Sequence, residues 1–298
     1  MSRSSHHAAP HTSATSTTPL PRFWAELTTA DFAALNLQRA VAVLPLGATE
    51  QHGPHLPLSV DTDLVNGIIT AALPHLPPDL PVLFLPTQAV GFSPEHARFA
   101  GTLTLKADTL LRLWTDLGEC VAASGIRKLL LFNAHGGQVG AMDLVARDLR
   151  ARLGLLVYSA SWFNLPLHGP DGEDVGQRFA ASEHRFGIHA GDMETSMMLA
   201  LAPQQVRMAQ AAHFHSTAQD RAQRFPILGN GRSAKLAWQM QDYNPQGAAG
   251  NAAAATADKG HALVGAAGRA LAQLLTEIDQ LPPDTLRQDT AFSPSTPA

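Results

Sequence analysis

The chain has 298 residues, with 45% hydrophobic and 15% charged side chains and a formal net charge of −4. That length suits one large domain or two small ones with a well-buried core. The negative balance offers no basic field for a phosphate backbone, so nucleic acid is not an expected partner. No apolar run approaches the roughly 20 residues that span a bilayer, which argues against a membrane protein.

Residues 1–21 are rich in Ser, Thr, His and Pro and lack the apolar stretch of a signal peptide. They read as a disordered tail on a cytoplasmic protein; His6, His7 and His11 in it are at most adventitious metal binders. The ordered chain is expected from residue 22 to residue 280 as one domain, followed by a Pro/Thr/Ser tail over 281–298. Runs at Ala40–Leu46, Pro81–Pro86, Lys128–Asn133 and Leu155–Ser161 are apolar without alternation and bounded by turn residues, the pattern of buried parallel strands. Helical periodicity covers Asp63–Leu76, Asp108–Ser124 and Ala141–Leu153, with further helices around Thr195–Leu201 and over Ala252–Gln280. Cys120, the one cysteine, excludes an internal disulfide framework and is expected to be a buried thiol within the second of these helices. Between His213 and Gly250 the pattern dissolves into polar, Gly- and Pro-bearing sequence. So long an irregular stretch points to function or oligomer contacts. Alternating strand and helix predicts an α/β fold: a single three-layer domain with a mostly parallel sheet flanked by helices.

In such a fold ligands bind at the carboxyl ends of the strands, and acids and histidines gather there. The first strand runs into Gly47-Ala48-Thr49-Glu50-Gln51-His52-Gly53-Pro54-His55, where Glu50 and His52 share a face of an extended backbone. Asp61 and Asp63 open the next helix. The third strand ends at Asn133-Ala134-His135-Gly136-Gly137, and His189-Ala190-Gly191-Asp192-Met193-Glu194 leads into a later helix. Mixed imidazole and carboxylate donors suit zinc, manganese or iron(II). Each piece also has a plainer reading: an Asp before a helix is commonly an N-cap, and His-Gly-Gly after a strand is commonly a tight turn or an anion nest. His75, His168, His184, His213 and His215 lack acidic company and are assigned to surface or packing.

At these residues the sequence resembles the creatininase (creatinine amidohydrolase) family. The resemblance rests on Leu46 through Pro57 with Asp61, on Gly91-Phe92-Ser93-Pro94-Glu95-His96 with Phe99 through Leu105, on Asn133 through Gly137, on His189 through Ser196, and on Gly250-Asn251 with Ala255 through Gly260. It implies two divalent metal ions, zinc and/or manganese or iron, and a homohexameric assembly. Carried over, it places Glu50 and His135 on one ion and His52 on the other, with Asp61 bridging. His189 would be the proton shuttle beside the substrate, and Glu194 a carboxylate ligand or base. The implied activity is hydrolysis of a C–N bond other than an ordinary peptide bond, by a metal-activated hydroxide acting on a small amide, formamide or cyclic amide.

Two departures shape that expectation. Creatininases carry Tyr-Glu after the histidine matching His135, and that Glu is a ligand; Gly136-Gly137 stands here, so the role passes to Glu194. Arg185 stands where creatininases have a tryptophan, although Trp162 matches another active-site tryptophan. Glu95, His96, Gly136, Gly137, Trp162 and Arg185 are the expected substrate contacts, and creatinine itself is not the expected substrate. Alternatives are a creatininase-like peptidase and a metal- or small-ligand-binding protein without catalysis.

Overall fold

A computed structural model describes residues 21–287, 290 and 291; residues 1–20 of the expected N-terminal tail and half of the C-terminal one lie outside these. In chain order the regular elements are α1 (Thr29–Ala34), β1 (Val41–Leu46), α2 (Val60–Ala72), β2 (Val82–Phe84), α3 (Ala107–Ala123), β3 (Lys128–Asn133), α4 (Val139–Leu153), β4 (Leu156–Ser161), α5 (Ala181–Phe186) and α6 (Asp192–Leu201). There follow β5 (His213–Phe214), α7 (Thr217–Arg224), α8 (Met240–Tyr243), β6 (Gly250–Asn251) and α9 (Ala257–Gln280). The main sheet has four strands in the order β2-β1-β3-β4, all parallel.

Successive side chains of a strand point to opposite faces, and here both faces are covered. Val41 and Val43 of β1 join Leu130 and Phe132 of β3 in a core shared with α2, α6 and α9. Ala42, Leu44 and Leu46 join Leu129 and Leu131 against α3 and α4, with Trp114 fully enclosed. This double burial explains why β1 reads as an uninterrupted apolar run. α9 approaches closely because it presents glycines: a Cβ on Gly260 would collide with the Ser196 carbonyl, and one on Gly268 would press on Ala71. The long C-terminal helix therefore braces both α6 and α2, the two helices that carry acids into the site.

Three expectations need correction. β4 is partly exposed, with Tyr158 at 41% relative exposure, because it is the edge strand of the main sheet and has no neighbour beyond it. Cys120 is exposed: α3 buries Leu110, Trp114, Gly118 and Val121, a stripe that turns position 120 outward. The stretch from His213 to Gly250 is less irregular than expected, since it holds α7, α8 and the antiparallel β5–β6 pair. Its middle, residues 225–239, is without regular structure. Among the described residues no helix is long and apolar enough to cross a membrane.

Candidate metal centre

The carboxyl ends of β1 and β3 lie side by side in register, Leu46 against Asn133, so the segments after them meet. Asn133 turns the chain: its Oδ1 accepts from the His135 backbone N–H, and its Nδ2 donates to the His135 carbonyl. The imidazole of His135 is thereby directed back over the sheet edge. Asp61 sits in the first turn of α2, where the helix dipole favours a carboxylate. Glu194 occupies the matching turn of α6 and accepts the N–H of Ala190 at 2.6 Å. Ala190 holds a left-handed φ of 53°, backbone strain of the kind that collects at functional sites.

Glu50, His52, Asp61, His135 and His189 are all buried. Glu50 Oε1 lies 3.3 Å from His135 Nδ1, 3.3 Å from His96 Nε2 and 3.9 Å from His189 Nδ1. Asp61 stands between two imidazoles, its Oδ2 at 3.6 Å from His135 Nδ1 and its Oδ1 at 3.7 Å from His52 Nε2. Three groups of donor atoms are close enough to share an ion: Glu50, Asp61 and His135; His52, His189 and Glu194; and Glu50, His96 and His189.

The hydrogen bonds on the far side of each ring sort these groups, because the nitrogen that donates is unavailable to a cation. His52 Nδ1 donates to the Glu50 carbonyl at 3.0 Å, leaving Nε2 with a lone pair toward Asp61. His135 Nε2 donates to the Phe92 carbonyl at 3.0 Å, leaving Nδ1 between Glu50 and Asp61. His189 Nε2 donates to the Gln51 carbonyl at 2.7 Å, leaving Nδ1 facing the centre. His96 is the reverse. Gln51 is pinned by accepting from Gly53 N–H and donating to the Gly247 carbonyl, so its Nε2 also donates to His96 Nδ1 at 2.7 Å. A neutral His96 then carries its proton on Nε2, which faces Glu50 Oε1 at 3.3 Å. It orients that carboxylate and offers no lone pair to an ion.

The electrostatics favour added positive charge. Burial alone would raise the Glu50 carboxyl, but His135, His96 and His189 hold it well below its usual range. Burial and the Glu50 charge push Asp61 up, and burial takes Glu194 up to about 7. Burial opposes charge on His52 and His135, yet Asp61 and Glu50 respectively outweigh it and raise them to about 9 and about 10. Both Glu50 oxygens, Asp61 Oδ2 and His52 Nε2 are buried without a hydrogen-bond partner, an arrangement that costs about 1–3 kcal/mol per group if left so. A divalent cation set among these atoms would satisfy them, so the donor chemistry fits the metals that the sequence suggests.

The expected substrate contacts divide. Glu95 and His96 lie inside the centre, Glu95 Oε1 at 3.5 Å from His135 Nε2. Gly136 has open space where a side chain would stand, whereas a Cβ on Gly137 would overlap Glu95 Oε1. The Glu95 carboxylate thus occupies the volume a side chain at 137 would need. Trp162 is buried at the end of β4 within the apolar core, and Arg185 is exposed on α5 with its guanidinium over the Phe186 ring. Two residues escaped the sequence reading. Gln51 is hidden by the polar company on either side of it, and Trp238, edge-on to His96 at 6.0 Å between ring centroids, comes from the stretch without periodicity.

This geometry defines a buried carboxylate–imidazole centre on a parallel α/β sheet. A family model described as creatininase, creatinine amidohydrolase, matches residues 25–275, and the chain belongs to the creatininase family. It is 38% identical over 171 residues to the mycofactocin precursor peptide peptidase of Mycobacterium tuberculosis, an alignment covering 55% of this chain and 60% of that protein. It is 30% identical over 173 residues to the creatinine amidohydrolase of Pseudomonas putida, covering 55% and 65%. The matched stretch thus spans less than two thirds of either relative. A creatinine amidohydrolase (creatininase) crystal structure superposes with a TM-score of 0.68 at 25% identity, covering 87% of this chain and 98% of that one. A manganese form of creatininase gives 0.66.

Proposed function

We propose that the chain is a metal-dependent hydrolase of amide C–N bonds, acting on a small amide or a short peptide other than creatinine. The observation that carries this reading is the placement of Asp61 between His135 Nδ1 and His52 Nε2, with unpartnered buried oxygens on both Asp61 and Glu50. Glu50, Asp61 and His135 would hold one ion, and His52 and Glu194, with Asp61 shared, the other. Bound ions would supply Lewis acidity at the amide carbonyl and ease deprotonation of water.

The chain's own residues supply the proton path. His189 is anchored through Nε2 on the Gln51 carbonyl and kept neutral first by burial, then by the charge of His52. Its Nδ1 faces the centre, free to take a proton from the attacking water. The water oxygen bonds the carbonyl carbon, the C–N bond breaks, and the same Nδ1 returns the proton to the departing nitrogen. Glu194, near neutrality in its affinity for a proton, serves as ligand or as second base. The family and the names of the relatives support hydrolysis of C–N bonds in both peptide and non-peptide settings.

The test is Asp61→Asn, which keeps the shape of the side chain and removes the shared charge. Expected are loss of turnover on an amide panel and loss of at least one equivalent of metal on elemental analysis. Full activity at unchanged metal stoichiometry would overturn the assignment.

A further inference from the structure

A cavity beside the metal centre is lined by none of its donors. It has a volume of about 990 Å³ and includes His184, Arg185, Ile188, Arg221, Trp238 and Tyr243 in its wall. Four of its lining residues are Lys or Arg, the other two being Arg232 and Lys235, and none is Asp or Glu. That density of cations is unusual in a chain whose formal net charge is −4.

A solvated basic face would normally find carboxylates on its own surface. Here two of the four cations, Arg185 and Arg221, are held by neutral groups. The Arg185 guanidinium lies 4.8 Å from the Phe186 ring centroid, and its Nη2 reaches the Gly229 carbonyl at 3.4 Å. The Arg221 guanidinium lies 4.9 Å from the Tyr243 ring centroid, and its Nη1 donates to Thr217 Oγ1 at 3.0 Å. Asn230 Oδ1 accepts from the backbone N–H groups of Arg232 and Ser233, which shapes the loop carrying the third cation. Among the described residues none of the four makes an ion pair with a carboxylate. Guanidinium forks positioned this way retain their capacity for an oxyanion.

The cavity shares two walls with the centre. Trp238 lines it and meets the His96 ring edge-on at 6.0 Å, and Ile188 lines it immediately before His189. A volume near 990 Å³ is at the upper end of the roughly 300–1,000 Å³ of ordinary ligand pockets, far more than a small cyclic amide fills. We infer that this cavity is the anion subsite of the hydrolase, selecting extended amide substrates that carry a carboxylate remote from the scissile bond. The inference rests on the hydrolase reading and adds the substrate class. The aromatic and aliphatic wall would carry the connecting chain, and the cations would fix its charged end.

The experiment titrates the metal-loaded protein calorimetrically with one N-acetylated alanine tetrapeptide in three forms: free acid, C-terminal carboxamide, and carboxamide bearing a phosphoserine. The free acid should bind roughly tenfold or more tightly than the carboxamide, with an advantage that shrinks as salt rises. The double variant Arg185→Gln, Lys235→Gln should abolish the difference. The single exposed change Arg232→Gln, which threatens no packing, should reduce it several-fold. Equal binding of acid and carboxamide by the wild type would overturn the inference, and stronger binding of the phosphoserine form than of the free acid would overturn the carboxylate assignment. Because binding is the readout, the two readings fail separately. A preserved preference without hydrolysis counts against the hydrolase alone, and hydrolysis without preference counts against the subsite alone.

Discussion

Gly137 gives the sharpest test of how the centre is built. An added Cβ would overlap Glu95 Oε1 and come within 2.6 Å of His135 Nε2, while its neighbour Gly136 has nothing within 4 Å. Gly137→Ala must therefore move either the Glu95 carboxylate, which is buried, or the ring whose Nε2 bonds the Phe92 carbonyl. Overpacking of this kind costs about 1–3 kcal/mol, on the order of 5 °C in melting temperature for a chain of this size. Tilting the His135 ring also disturbs a group whose outer hydrogen bonds set metal affinity, an effect of about 10–100-fold. Gly136→Ala should do neither. The assay is a metal-competition titration together with a melting curve for both variants. Adding Glu95→Ala to Gly137→Ala removes the overlapping carboxylate and should restore the melting temperature, a coupling that single changes cannot show. Identical metal affinity and melting in the two glycine variants would refute the idea that Glu95 fills the volume at 137.

Three further outcomes follow from the same geometry. Glu194→Gln should lower the metal content from two equivalents to one while leaving the ion at Glu50, Asp61 and His135, and an unchanged count would remove Glu194 from the ligand set. Chelation should destabilise the protein by about 4 kcal/mol relative to metal at a thousandfold excess over Kd, and coincident melting curves would show that no ion is linked to folding. His55 is buried with Nε2 beside Thr195 Oγ1 at 2.9 Å, and burial, then the His52 charge, pushes it down to about 4 from 6.5. Its folded form resists protonation, so the stability it contributes is complete above pH about 6.5 and is lost as pH falls toward 4. In metal-free protein, wild type should lose on the order of 2 kcal/mol more than His55→Gln over that interval. Equal slopes in denaturant titrations would contradict this.

Much of the fold is legible in the sequence because the interior strands are buried on both faces, which leaves apolar runs at Val41–Leu46 and Lys128–Asn133 with little ambiguity. β4 carries the same apolar signature at its start, yet nothing in a run of residues says which strand will lie at an edge. The apolar neighbourhood of Cys120 misleads; its angular position on α3 decides its exposure, and one helical step separates it from buried Val121. At the site, Glu50, His52, Asp61, His135, His189 and Glu194 announce themselves by chemistry at strand and helix ends. The supporting roles do not. That His96 turns its Nε2 proton toward Glu50 depends on which way the Gln51 amide points, and that Glu95 stands in for a side chain at 137 depends on a distance across the fold. The basic cavity draws on α5, α7 and a loop without periodicity, so its charges are scattered in sequence and gathered only by packing.

The donors of the centre come from three stretches of chain: the turn after β1 with the start of α2, the turn after β3, and the start of α6. β1 and β3 can pair, and His135 can reach Glu50, before His189 and Glu194 exist on a growing chain. A half-built pocket of two imidazoles, His52 and His135, and two carboxylates, Glu50 and Asp61, would then precede the complete one during synthesis. Full ligation of a bound ion would then be a late event, timed by the arrival of α6 and by the docking of α9 that braces it. Loading would thereby be coupled to the completion of the fold, and an ion taken up early would sit where a weaker partial set of ligands lets it exchange before the final geometry closes around it.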